Sequence, residues 1–172
     1  VSAAASAPSV SSTAASSITA TSATLGGNVT SDGGASVTNR GGGYKTASGV
    51  TISDNKTPIG TGTGAFSNTV SSLSVNTRYY FRAYAQNSAG TSLGSESNFW
   101  TLANVPGAPS VSNPTTSSLN VGINENGNPA TTSFAIYETT QNKWVQADGS
   151  LGASAVWQTK AQWGTKTVTG LS

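Results

Sequence analysis

Side chains that could do chemistry are few in this sequence and widely separated. It has no His and no Cys, which excludes imidazole and thiolate metal sites, Cys nucleophiles and Ser-His-Asp triads. Glycoside hydrolysis requires two carboxylates about 5 to 10 Å apart across a cleft. The acids are Asp32, Asp54, Glu96, Glu125, Glu138 and Asp148. Asp32, Asp54 and Glu125 stand in Gly- or Asn-containing turns, where Asx hydrogen bonding accounts for them. We therefore predict that the chain is not an enzyme.

Calcium is the next metal to consider, because its ligands are oxygen atoms. The turns at Asp32 and at Asp54-Asn55 could offer such oxygens to a cation, whereas the segment 103–109 contains no acid. A capped turn explains both aspartates without a metal and is the preferred interpretation. We expect no metal and no cofactor.

Aromatic and cationic side chains form the first candidate ligand face. Alternation along one predicted strand places Tyr80, Arg82 and Tyr84 together, and Arg40 and Tyr44 of a neighbouring strand could join them. Aromatic platforms bind sugars, and a guanidinium over a tyrosine ring gains about 0.5 to 1 kcal/mol. Ordinary cross-strand pairing on a solvent face explains the same pattern and is preferred.

Three tryptophans form the second candidate. Trp144, Trp157 and Trp163 fall within 20 residues. Together they could be a carbohydrate platform, or they could supply apolar mass to a core. We expect at least two of them to be core residues.

Charge and hydropathy exclude two classes of partner. Charged residues make up 8% of 172 residues, the net charge is +2, and Lys and Arg do not cluster, so nucleic acid is not expected. No apolar run approaches the roughly 18 residues of a membrane helix, so this segment should not insert into a membrane. The opening residues 1–8 lack the basic and apolar regions of a signal peptide and are predicted to be a linker within a longer chain. The Ser- and Thr-rich, Cys-free composition favours an extracellular location.

The elements that must position these residues are all β-strands. Helical periodicity is absent, and short alternating segments are separated by turn signals every 8 to 12 residues or so, as in a β-sandwich. Predicted strands include 18–20, 37–44, 50–53, 77–86, 91–102 and 133–139. Strand 77–86 should point Tyr80, Arg82 and Tyr84 outward. The predicted core of the first domain is Leu25, Phe66, Leu73, Tyr79, Phe81, Ala83, Ala85 and Phe99.

The sequence repeats itself with a period near 100 residues. Ala7-Pro8-Ser9-Val10-Ser11 is echoed at 108–112, and Val70-Ser71-Ser72-Leu73 is matched at 168–171. We predict a linker at 1–8, a first domain at 9–102, a linker at 103–108 and a second domain at 109–172.

The segment Leu73–Gly90 resembles the E–F corner, strand F and F–G turn of fibronectin type III domains. The resemblance implies that Tyr79 is the tyrosine corner, with Leu73 and Phe81 as structural residues beside it. The tryptophan usual on strand B is missing, and Gly27 and Ile123 stand in its place. Gly- and Thr-rich segments at 26–34 and 60–64 resemble variant repeats of Bacteroidota surface proteins, including gliding-motility adhesins exported by the type IX secretion system.

This resemblance implies two tandem fibronectin type III-like sandwiches in an extracellular bacterial chain. The expected function is a non-catalytic spacer or display module of a large cell-surface adhesin. Expected partners are neighbouring repeats of the same chain, cell-surface or secretion-machinery proteins, and glycans. Two alternatives stay open: a carbohydrate-binding accessory module of a secreted polysaccharide-degrading enzyme, and a subunit of a self-assembling extracellular filament.

The second predicted domain is incomplete. The first domain needs about 28 residues after Leu73 to form strands F and G, whereas the sequence stops one residue after the equivalent Leu171. Strand 133–139 should then keep an unpaired edge, which is an aggregation hazard. We expect either that the sequence is a fragment or that another chain donates the missing strands.

Overall fold

The computed structural model describes residues 4–172 of the chain, which form β-strands and one short helix, α1 (Lys160–Trp163). One compact unit ends at Leu102, and the other runs from Ala103 to Ser172; we call them the first and second units. No helix within residues 4–172 has the length and apolar character needed to cross a membrane.

The first unit contains eight strands in two sheets. One sheet has the order β1-β2-β5, and the other has the order β4-β3-β6-β7 with β8 also pairing β6. The strands are β1 (Ser9–Ser16), β2 (Ala23–Ser31), β3 (Asn39–Lys45), β4 (Asn55–Gly60), β5 (Gly64–Val70), β6 (Arg78–Asn87), β7 (Gly90–Leu93) and β8 (Ser97–Trp100). This arrangement confirms the predicted all-β sandwich, and all eight predicted core residues are buried between its sheets.

Three strands predicted in the first unit are wrong: 91–102 is divided into β7 and β8 by residues 94–96, and two short ones are turns. Residues 18–20 belong to a turn in which the Thr19 amide donates to the Ser22 carbonyl and the Thr19 hydroxyl accepts from the Ser22 amide. Residues 50–53 form a turn held by Asp54, whose carboxylate accepts a hydrogen bond from the Thr51 amide. In both places a polar side chain satisfies the backbone locally, which competes with strand pairing.

The segments predicted as linkers are hydrogen-bonded to their units. The prediction at 1–8 begins with three residues that lie outside the described part of the chain. Of the rest, Ser6 donates its amide to Gly33 and accepts from the Asn87 side chain, so it lies against the first unit. In the second unit, Asn104 donates its amide to the Asn128 side chain, and Gly107 donates to the Asn124 carbonyl.

The second unit contains eight shorter strands in three small sheets, with the orders β16-β10-β9, β11-β15 and β12-β13-β14. The strands are β9 (Ser110–Ser112), β10 (Ser118–Gly122), β11 (Ser133–Phe134), β12 (Tyr137–Glu138), β13 (Lys143–Val145), β14 (Leu151–Gly152), β15 (Gln158–Thr159) and β16 (Thr165–Thr169). The continuous strand predicted at 133–139 is wrong, because residues 135 and 136 separate β11 from β12. The main buried cluster of the second unit consists of Val121, Val145, Trp163 and Val168.

The sheet β9-β10-β16 repeats the sheet β1-β2-β5. Leu119 pairs with Val168 in the second unit as Ala23 pairs with Val70 in the first. The turn before β10 is the same as the turn before β2, since Thr115 and Ser118 make the bonds that Thr19 and Ser22 make. After β16, the Leu171 amide donates to the Ser117 carbonyl, as Leu73 donates to Thr21.

Candidate functional site

The outer face of β6 does not form the predicted exposed stripe. Tyr84 is only 3% exposed, so the prediction that it points into solvent is wrong. It pairs across the strands with Gly41, whose missing side chain leaves room for the tyrosine ring. Burial raises the pKa of the Tyr84 hydroxyl, which donates to the Asn39 side chain at 3.4 Å. Tyr80 and Arg82 lie on this outer face and are half-buried.

Arg40 and Tyr44 do not join that face. They pair with Ala85 and Phe81, which belong to the inner face of the sheet. The Arg40 guanidinium lies 5.2 Å from the centroid of the Phe66 ring and donates to carbonyls at the turn between β4 and β5. The Tyr44 ring lies 6.3 Å from that of Tyr79. The proposed extension of the stripe by these two residues is therefore wrong.

The charged groups near β6 hold loops together. Arg82 donates from Nε to the Gly94 carbonyl at 2.6 Å. The Glu96 carboxylate accepts from the Ser48 hydroxyl at 2.6 Å and from the Gly49 and Val50 amides at 2.8 Å each. These bonds lower the pKa of Glu96, and the bond from Ser48 has the largest effect. Both side chains thus make hydrogen bonds within the first unit.

Tyr79 occupies the position expected of a tyrosine corner. Its hydroxyl accepts a hydrogen bond from the Ser74 amide, five residues upstream, at 2.9 Å. Its ring stacks on Phe99 at a centroid distance of 5.8 Å, and Phe99 in turn contacts the edge of Phe81. Leu73 belongs to the same buried cluster. These residues join the turn after β5 to strands β6 and β8.

The aspartates considered for calcium cap turns. Asp32 accepts from the Gly34 amide at 2.9 Å. Asp54 accepts from the Thr51 amide and hydroxyl and forms an ion pair with Lys45 at 3.1 Å, and these bonds lower its pKa. No cluster of three acidic or other metal-ligating side chains exists within residues 4–172.

An apolar groove lies in the second unit. It comprises two cavities of about 560 and 440 Å³, and both are lined by Pro109, Val121, Ile136 and Tyr137. We call it the second-unit groove. Consecutive residues 132–141 form one wall of it. Glu138 is the single charged residue among those that line the two cavities, and its carboxylate accepts from the Thr140 and Gln141 amides.

The three tryptophans have different environments. Trp163 is 2% exposed and donates from its indole nitrogen to the Phe134 carbonyl at 2.8 Å, so it is a core residue. Trp144 is half-buried, and its ring lies 4.6 Å from that of Tyr137. Trp157 is 65% exposed, and of the three only Trp163 belongs to the buried cluster, so the expectation that at least two are core residues is wrong. Trp144 and Trp157 line the larger cavity of the second-unit groove, whereas Trp163 does not.

Of the residues that line the groove, the sequence predicts Trp144 and Trp157 as candidates and places Ile136 in strand 133–139. No motif or spacing singles out Val121. The signal available in the sequence is the expectation that strand 133–139 lacks a partner.

Comparison with solved structures identifies the fold. A segment of two fibronectin type III domains from chicken tenascin matches 95% of this chain and 83% of its own length, with a TM-score of 0.56 and 14% identity. The fold is fibronectin type III-like. A fibronectin type III domain from the human KIAA0970 protein matches 62% of the chain and 84% of its own length, with a TM-score of 0.39 and 14% identity.

A bacterial sensor domain is also among the similar structures. It belongs to the anti-sigma factor RsgI4 of Pseudobacteroides cellulosolvens and is 30% identical, with a TM-score of 0.45, over 58% of this chain and 98% of its own length. No protein-family model and no curated protein matches the chain.

Proposed function

We propose that the chain is a non-catalytic repeat segment of a large bacterial surface adhesin, in which it spaces or displays other domains. The proposal is supported by the three-stranded sheet that occurs in both units with the same strand pairing. The turn at Thr19 also recurs 96 residues later at Thr115. Repeated modules with separate cores suit extended chains, because a domain with its own core can in principle fold by itself. The low charge of the surface limits nonspecific attachment.

The proposal is tested by locating the protein on cells. An antibody raised against the 172-residue chain should label intact cells of the source organism. Labelling should be lost when type IX secretion is disabled, while total protein remains detectable in lysates. Labelling that requires permeabilised cells would contradict a surface role, and surface labelling that survives loss of type IX secretion would contradict that route.

Carbohydrate binding is a second candidate, favoured by the aromatic residues at the second-unit groove. Exposed Trp157 and the Tyr137–Trp144 ring pair could stack on sugar rings. Soluble glycans should then quench tryptophan fluorescence saturably, and Trp157→Ala should abolish the effect. Trp100→Ala is the matched control, since Trp100 is also exposed but belongs to the first unit. No saturable quenching by any tested glycan would reject this function.

A further inference from the structure

Asparagine side chains hold the start of the second unit on the turn of residues 124–128. The Asn104 amide donates to Asn128 Oδ1 at 2.8 Å, and Asn128 Nδ2 donates back to the Asn104 carbonyl at 2.9 Å. Asn104 Nδ2 donates to the Asn126 carbonyl at 3.0 Å. Asn126 Nδ2 in turn donates to the Val105 carbonyl at 2.9 Å. The side chain of Asn126 therefore supplies the bond that fixes Val105 to this turn.

Asn126 and Gly127 are the two central residues of the turn. The Asn128 amide closes it on the Glu125 carbonyl at 3.0 Å, and φ is 48° at Asn126 and 78° at Gly127. Positive φ at both central positions is characteristic of a type I′ turn. Both residues are exposed, and within residues 4–172 no group accepts a hydrogen bond from the Gly127 amide. The main-chain nitrogen that follows Asn126 is therefore open to solvent.

An asparagine that precedes glycine can lose its side-chain amide without an enzyme. The Gly127 nitrogen attacks Asn126 Cγ, the Cγ–Nδ2 bond breaks, and ammonia leaves with the proton of the Gly127 amide, so that a cyclic succinimide forms. Water then opens the ring. Attack at Cγ gives aspartate, and attack at the main-chain carbonyl gives isoaspartate. Glycine favours the first step because it has no Cβ to crowd the attacking nitrogen and its backbone rotates freely.

We propose that Asn126 is a site of spontaneous deamidation whose products release residues 104–107 from the turn. Either product replaces the Nδ2 donor with a carboxylate, which only accepts hydrogen bonds and so repels the Val105 carbonyl. Isoaspartate also lengthens the main chain within the turn, which moves the Asn128 amide away from the Glu125 carbonyl. The modification therefore loosens the start of the second unit. The proposal goes beyond the adhesin role and does not depend on it.

Other asparagines of the second unit lack one or more of these features. Asn128 is 6% exposed and precedes Pro129, whose nitrogen carries no proton to lose. Asn142 is the matched comparison, because it is exposed and has a φ of 54°, but it precedes Lys143. Asn126 is the only asparagine of the sequence that precedes glycine. Sequence and turn geometry thus single out the same position.

Incubation of the 172-residue chain in mildly alkaline buffer tests the site. Tandem mass spectrometry of proteolytic fragments should show replacement of NH2 by OH at Asn126 before it appears at any other asparagine. Isoaspartyl methyltransferase should label the same position, and Asn142 should still be unmodified when most chains are modified at Asn126. Modification of Asn142 as early as that of Asn126, or no modification of Asn126, would overturn the proposal.

Amide hydrogen exchange measures the structural consequence. In Asn126→Asp, the amides of Asn104 and Gly107 should exchange about threefold to tenfold faster than in the parent chain, because a bond that holds their segment is lost. The chain deamidated by incubation should show the same change. Asn142→Asp adds the same charge at an exposed position of the same unit and should leave both rates unchanged. Unchanged rates in Asn126→Asp and in the deamidated chain, or faster exchange that extends to β10 because the whole unit unfolds, would overturn the proposal.

Discussion

The two units build the same three-stranded sheet but cover it differently. In the first unit, β6 and β8 bring Tyr79, Phe81 and Phe99 onto that sheet, and the main buried cluster has seven buried and three partly buried apolar members. In the second unit, Trp163 enters from the four-residue helix α1, and four buried residues are surrounded by six partly buried ones. In the first unit, one long strand with aromatic residues on its inner face thus closes the core. In the second unit, a single tryptophan covers the corresponding core only in part.

The comparison predicts that the stability of the second unit depends most on the side chain of Trp163. Trp163→Ala should destabilise that unit by about 5 kcal/mol, because it removes a buried ring and leaves the Phe134 carbonyl without its donor. Thermal unfolding followed by amide NMR signals of each unit measures the effect. Trp157→Ala, at an exposed position, should change stability by less than about 0.5 kcal/mol. Equal effects of the two variants would contradict the assignment of Trp163 to the core.

In the first unit, we expect the side chain of Tyr79 to make a comparably large contribution to stability. Tyr79→Ala should cost about 3 to 5 kcal/mol as a large-to-small core change. Tyr79→Phe should cost only about 1 kcal/mol, since it keeps the ring and loses the bond from the Ser74 amide. Chemical denaturation of both variants separates the ring from the hydroxyl, and Tyr80→Phe serves as the control. An unchanged melting temperature for Tyr79→Ala would refute a structural role at the corner.

Neighbouring groups approach the backbone closely at Gly41 but not at Gly42, so alanine substitutions at the two positions can be compared. A Cβ at Gly41 would collide with the Thr57 carbonyl and lie 2.9 Å from the Tyr84 hydroxyl. Gly41→Ala should therefore destabilise the first unit by about 1 to 3 kcal/mol. A Cβ at Gly42 would meet only side chains at 3.5 Å or more, so Gly42→Ala should be neutral or slightly stabilising. The free energies of unfolding of the two variants should differ in this direction, and the reverse order would reject this account of the Tyr84 burial.

These positions also show what the sequence could and could not predict. Alternation with a period of two identified the inner face of β6, because Tyr79, Phe81 and the alanines repeat strictly. It could not identify the residue opposite Tyr84, which depends on the register with β3. The register also decides that Arg40 and Tyr44 face inward. Alternation assigns faces within a strand, whereas burial depends on what the partner strand offers.

The second-unit groove was only partly predictable for a related reason. The repeat with the first domain predicts a strand at 133–139, and β11 and β12 lie within that range. The break between β11 and β12, and the insertion of Trp163 from α1, arise from long-range contacts such as the bond from Trp163 to Phe134. Strands of two or three residues also carry too little alternation to be recognised in a sequence.

The smallest expected effect concerns acid sensitivity of the first unit. Hydrogen bonds from Ser48, Val50 and Gly49 lower the pKa of Glu96 below its ordinary value of 4.5. Its contribution to stability is therefore present above pH 4.5 and is lost as the pH falls through the lower pKa of the folded state. Glu96→Gln should flatten the fall in melting temperature of the first unit below pH 4.5. Glu125→Gln in the second unit should leave that fall unchanged, and an identical acid response of Glu96→Gln and the parent chain would argue against this role.

Amide hydrogen exchange of the chain tests most directly whether the two units differ in how their strands are paired. All amides of residues 40–45 should exchange slowly, because β3 is paired on both edges. Alternate amides of residues 132–138 should exchange rapidly, because β11 and β12 are each paired on one edge. Uniformly slow exchange throughout 132–138, equal to that of β3, would contradict the account.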